Sequence, residues 1–231
     1  MFNSKYSKIL TVILIILIIG IVGTLSYFVY DLTSVSTKNN KAQEAIQEFN
    51  EKSIKRQFDS SPDENSENEN STSTSNPLDS IEGLNSSETE NSSSEAKKTY
   101  LEGYEVMGTI EIPKTGIKYP ILSEVTKKSL ETSVAILYGV GLNQPGNTTI
   151  VGHNYRNGLF FSDNKKLTNG DSIKITDQTG TTITYEIYDI FITSPSDAGY
   201  MQRDTEGAKE ISLSTCTDDS SQRLIILAKE K

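Results

Sequence analysis

The only cysteine of this chain, Cys216, its only histidine, His153, and the arginine Arg223 are the residues whose types could together carry covalent chemistry. Each stands at the edge of a short apolar run. His153 follows Thr149-Ile150-Val151-Gly152, Cys216 follows Ile211-Ser212-Leu213-Ser214-Thr215, and Arg223 precedes Leu224-Ile225-Ile226-Leu227. Strand ends are where side chains leave a packed core and face a substrate from a rigid support. A nucleophilic thiol needs a neighbouring base or cation, and histidine can serve as either. Attack of sulfur on an amide carbonyl builds an oxyanion, for which a guanidinium is a fitting donor. The residue types alone leave three fates open for an unpaired thiol: reactive, bonded to another chain, or buried and inert. A lone histidine is equally compatible with a structural role.

The elements that must position these residues begin near Tyr100, where short alternating β-branched runs set in. Val106 to Ile112 reads as a strand closed by Pro113 and a Thr115-Gly116 turn, and Ile117 to Leu122 resumes it, with Pro120 suggesting an edge or bulge. Ser129 to Tyr138 places Leu130, Val134 and Leu137 on one helical face ended by Gly139. Thr148 to Gly152 is a strand that delivers His153, and Ser172 to Thr176 with Thr182 to Thr193 forms a hairpin around Gln178-Thr179-Gly180. Glu210 to Thr215 delivers Cys216, and Leu224 to Lys229 makes the last strand. Seven to eight short strands with one or two short helices predict a mainly β fold, a closed antiparallel β-barrel over residues 99–231.

The preceding residues are of another kind. Ile9 to Tyr30 is a run of 22 residues without a charge. As a helix it is roughly 33 Å long, enough for a hydrocarbon core of about 30 Å. Lys5 and Lys8 precede it and Asp31 follows, so the positive-inside tendency leaves residues 1–8 in the cytoplasm and the rest outside, a single-pass arrangement. The run is longer than a cleaved signal's apolar region and ends in Ser26-Tyr27-Phe28-Val29-Tyr30 instead of a small-x-small site, which favours a retained anchor. Residues 31–58 carry Ala42, Ala45, Ile46 and Phe49 at helical spacing and predict a juxtamembrane helix. Residues 59–98 are rich in Ser, Asn and Glu, hold 10 acidic against 2 basic groups, and read as a flexible stalk. Most of the net charge of −9 therefore belongs to that segment, and no basic stripe suited to nucleic acid is present.

Three segments, in order, resemble the sortase family of cysteine transpeptidases. Ser212-Leu213-Ser214-Thr215-Cys216 is similar to the signature Thr-Leu-x-Thr-Cys, with Ser in place of the first Thr. Arg223-Leu224-Ile225-Ile226 resembles the arginine and strand that follow it. Gly146-Asn147-Thr148-Thr149-Ile150-Val151-Gly152-His153-Asn154 resembles the segment that carries the family's histidine. Gly108 to Pro113 and Ile117 to Ile121 also look like its first strands, so the likeness spans roughly residues 104–229.

The resemblance implies an eight-stranded barrel on the surface of a Gram-positive cell. It implies cleavage of a sorting motif near the C-terminus of secreted proteins and transfer of the acyl group to an amine of the cell wall or of a pilin. Carried over, Cys216 is the nucleophile, His153 the proton carrier and Arg223 the substrate or oxyanion ligand, with Thr215 and Ser214 as a second tier. It implies no metal and no organic cofactor, and calcium activation does not transfer without matching carboxylates. Ile117-Lys118-Tyr119-Pro120, Gly152-His153-Asn154 and the seven-residue step from Cys216 to Arg223 lean towards class B. The span from Tyr188 to Leu213, too short for class B's extra helix, resembles class A or D, and the lack of a second apolar anchor after residue 223 speaks against class C. The competing readings are a surface cysteine hydrolase, a non-catalytic membrane-anchored binding barrel, and a sortase-like protein inhibited by its own residues 31–58.

Overall fold

The computed structural model describes residues 4–59 and 98–231. The chain opens with one long helix, α1 (Ser4–Asp59), which runs through the apolar segment and the expected juxtamembrane helix without a break. The segment expected as a stalk, residues 59–98, lies almost entirely outside the described residues.

Among the described residues nine strands follow: β1 (Tyr100–Leu101), β2 (Tyr104–Ile112), β3 (Ile117–Leu122), β4 (Val134–Gly139), β5 (Gly146–Val151), β6 (Ser172–Asp177), β7 (Thr182–Thr193), β8 (Lys209–Cys216) and β9 (Arg223–Glu230). Their order is β1-β2-β3-β4-β5-β8-β9-β7-β6, and β6 pairs again with β2, which closes an eight-stranded barrel with β1 as an appendage. The closed, mainly β architecture is the expected one. The sheet is nevertheless mixed: β3 pairs parallel with β4, and β5 pairs parallel with β8.

Period-two burial explains the strands. Ile110 and Ile112 of β2, Ile173 and Ile175 of β6, and Tyr185 and Ile187 of β7 share the barrel's main core and are fully covered or nearly so. Each such side chain contributes about 1.5–3 kcal/mol on burial. The closing seam between β2 and β6 requires Gly108, where a Cβ would lie 2.4 Å from the carbonyl oxygen of Thr176.

One element departs from expectation. The helix expected over Ser129 to Tyr138 is only α2 (Lys127–Thr132), and Val134 onward is strand β4. A capping box between Thr126 and Ser129 starts α2, while Ser133 leaves helical geometry and donates its hydroxyl to the Pro120 carbonyl at 2.6 Å. The β-branched and aromatic run Val134 to Tyr138 then fits between β3 and β5, a tertiary demand that overrides its three-to-four spacing.

Candidate active site

Barrel topology brings the three chemically capable residues to one rim. β5 and β8 lie side by side and run the same way, with Val151 opposite Ser214, so both deliver their next residues to the same end. β9 returns antiparallel from that end and sets Arg223 directly opposite Cys216. The Arg223 guanidinium donates from Nη1 to Cys216 Sγ at 3.2 Å. His153, Cys216 and Arg223 line one cleft of about 300 Å³. Its walls are apolar, built from Val125, Leu130, Leu137, Pro195, Tyr200 and Met201. A mostly apolar cleft with a few convergent polar groups is the usual form of a ligand site.

Backbone hydrogen bonds fix the histidine to the cysteine strand. The Gly152 N–H donates to the Ser214 carbonyl at 3.2 Å, and the Thr215 hydroxyl donates to the Gly152 carbonyl at 2.8 Å. A side chain at Gly152 would press on Val134 Cγ1 at 2.8 Å and Phe161 Cδ2 at 2.9 Å, so only glycine lets the strand reach this depth. Beyond it, the Asn154 amide donates to the Cys216 carbonyl and to Asp218 Oδ1, each at 3.0 Å. The loops that follow His153 and Cys216 are thereby tied together.

The imidazole packs against Tyr155 with ring centroids 4.9 Å apart, and Lys38 of α1 lies 5.5 Å over the Tyr155 ring. Burial pushes the His153 pKa below its ordinary value; Glu131 opposes that shift and Lys38 adds to it. A half-buried imidazole of this kind favours the neutral form, which can accept a proton. α1 stands beside the cleft and gives no residue to its lining.

The second-tier residues are present with other duties. Thr215 is buried, and its hydroxyl is committed to Gly152. Ser214 accepts from the Tyr200 hydroxyl at 3.2 Å and lines the cleft. Sequence reasoning named Asn154 only as part of the histidine motif, with no role, and did not single out Tyr155, Tyr200 or Lys38. Asn154 alone had a sequence signal, since it directly follows the histidine. The other three are brought in by the barrel and by the docking of α1.

Comparison with known proteins identifies the family of the barrel domain. A family model described as the sortase domain matches residues 110–231, more than half of the chain and all three rim residues. Sortase A of Bacillus anthracis is 28% identical over 135 residues, a match covering 57% of this chain and 63% of that relative's length. The solved structure of sortase A from Corynebacterium diphtheriae is 29% identical with a TM-score of 0.51, covering 55% of this chain and 61% of that one. The pilus-related sortase C of Group B Streptococcus is 26% identical with a TM-score of 0.51, covering 55% and 67% respectively. Between β7 and β8, residues 194–208 contain no helix, in keeping with the short connection read from the sequence. With a matched domain that spans the barrel and a cysteine, histidine and arginine at its rim, the chain belongs to the sortase family.

Proposed function

We propose that this protein is a cysteine transpeptidase, anchored in the cell membrane by Ile9 to Tyr30 and working on the outer face. It cleaves a sorting motif near the C-terminus of secreted proteins and passes the acyl group to an amine of the cell wall or of a pilin. The observation that carries this reading is the 3.2 Å contact between Arg223 Nη1 and Cys216 Sγ at the head of an apolar cleft that His153 also lines.

The chemistry follows from those three groups. Cys216 sulfur attacks the scissile carbonyl while neutral His153 takes the thiol proton, and negative charge gathers on the carbonyl oxygen beside the Arg223 guanidinium. The carbon–nitrogen bond breaks as the imidazolium returns that proton to the departing amine, leaving a thioester on Cys216. An incoming amine then attacks the thioester and gives its proton to His153, the carbon–sulfur bond breaks, and the imidazolium passes that proton to the departing thiolate, which regenerates the thiol and neutral His153. Thr215 and Ser214 support this site through the backbone of Gly152 and the hydroxyl of Tyr200. The apolar run and the flanking lysines support a cytoplasmic N-terminus, residues 1–8, with the domain of residues 99–231 outside.

The test is mass spectrometry of the protein after exposure to a library of sorting-motif peptides, with and without an amine acceptor. A thioester adduct on Cys216 and an amine-dependent ligated product are expected. Cleavage that ignores the acceptor would make the protein a hydrolase. No adduct, together with a Cys216→Ala variant that retains every activity, would leave a binding barrel.

A further inference from the structure

α1 passes through two environments without interruption. Along Ile9 to Tyr30 its large side chains are uncovered, with Ile16 at 64% and Tyr30 at 72% exposure. Further on, Ala42, Ala45, Ile46, Phe49 and Ser53 form one helical stripe that is buried against the barrel. Phe49 and Ala45 share a core cluster with Leu101, Val106 and Leu122, and Ala42 joins the barrel's main core. Polar clasps reinforce the seat: the Tyr119 hydroxyl donates to Asn39 Oδ1 at 2.8 Å, Gln43 donates to the Lys118 carbonyl at 3.1 Å, and Lys41 pairs with Glu102 at 2.6 Å.

Little helix separates the two environments. Val35 already packs on the main core, five residues after Tyr30, which is roughly 7.5 Å of helical rise. No glycine or proline occurs between Thr24 and Asp59 to act as a hinge. A cavity of about 410 Å³ at this junction is lined by Tyr30, Thr33 and Thr37 of α1 and by Glu102, Glu131 and Thr132 of the barrel domain. The neighbouring residue on α2, Leu130, lines the catalytic cleft instead. One short helix, about 10 Å across, therefore separates the cleft from a cavity that reaches the last residue of the apolar run.

We infer that α1 is a rigid strut that holds the barrel at a fixed height and rotation on the bilayer, with the rim bearing the cleft set close to the headgroup layer. The interaction surface is the α2 rim, and its partner is the membrane itself. This rests on the reading that Ile9 to Tyr30 spans the membrane. It replaces the picture of a barrel on a loose tether, for which 40 flexible residues would allow excursions of roughly 35 Å.

The experiment uses the full chain in liposomes, in a Cys216→Ala background so that one introduced thiol can be labelled. A dye is placed through Lys128→Cys on the exposed face of α2, and energy transfer to a lipid-borne acceptor is measured. One to four alanines are then inserted between Leu32 and Thr33. Each inserted residue turns the barrel by about 100° relative to the anchor, so transfer should fall most near two insertions and largely recover at four, when the net turn is about 40°. Four residues of Gly-Ser-Gly-Ser at the same place should give a broad distribution of transfer instead of recovery. Thermal melts of the insertion variants should match the parent, since the docked stripe lies beyond the insertion. Transfer that is indifferent to insert length in chains that still co-float with liposomes overturns the strut alone. Failure to co-float removes the membrane reading and the strut with it.

Discussion

Replacing Arg223 by lysine probes the rim chemistry most directly. The Nη1 atom lies 3.2 Å from the cysteine sulfur, and the two residues are cross-strand partners, so backbone pairing sets the guanidinium in place before substrate arrives. Lysine keeps the charge and the aliphatic stem but offers a single ammonium in place of a planar fork. Removing one preorganised oxyanion donor costs on the order of 10²–10³ in rate, or about 2.7–4 kcal/mol. Arg223→Lys, which keeps the charge but loses the fork, should sit near the lower figure of about 10², and Arg223→Ala near the upper one. The fold should hardly notice. The other side-chain hydrogen bond of Arg223 goes to the adjacent Gln222 carbonyl at 3.4 Å, and strand pairing to Cys216 and Thr193 uses only the backbone. The stability change should then stay within about 0.5 kcal/mol. Rapid mixing with a fluorogenic sorting peptide would read the burst of thioester formation apart from amine-dependent turnover, with thermal melts run in parallel. Acylation by Arg223→Ala within about threefold of the parent, under about 1 kcal/mol, would refute the oxyanion assignment. A large fall in melting temperature matching the loss of rate would make Arg223 a structural residue.

Three further outcomes are expected. Because burial favours neutral His153, the form able to accept the thiol proton persists above a pKa lower than 6.5, and acylation should fall only as pH drops through that lower value. Lys38→Met should move this acid limb to higher pH and Glu131→Gln to lower pH; pH–rate profiles in which neither change moves the limb would refute the electrostatic account. Phe49→Ala should lower the stability of the full chain in detergent by about 3–5 kcal/mol, since the ring is fully buried against Leu101, Val106 and Leu122, and a denaturant melt showing less than about 1 kcal/mol would deny the docking of α1. Gly152→Ala should cost about 1–3 kcal/mol through the contacts at 2.8 and 2.9 Å with Val134 and Phe161, and should displace His153 enough to depress turnover more than stability. An unchanged melting temperature for that variant would show that the strand end has room to spare.

Relatives named as sortase A and as sortase C share the same TM-score of 0.51 with this chain, so likeness of fold does not choose between classes. The class B leaning read from short motifs rests on those motifs alone.

What the sequence determined by itself is what a chain encodes locally. Thr182 to Thr193 was legible as a strand to its exact ends because alternating side chains declare their own period, and a Gly-containing turn bounded it. The apolar run, the acidic segment and the order of the three motifs were legible for the same reason, since composition and spacing need no partner. What only the tertiary structure decided is who neighbours whom. Val134 to Tyr138 had helical spacing but became β4 because two waiting strands supplied its hydrogen bonds. β5 and β8, some sixty residues apart, pair parallel because barrel closure leaves each no other edge, and that pairing alone brings His153 beside Cys216. The stripe from Ala42 to Phe49 announced a buried face, but its contact surface was assembled from strands far along the chain, which no local pattern can name. Periodicity fixes which face of an element seeks cover; the long-range closure of the fold fixes what covers it.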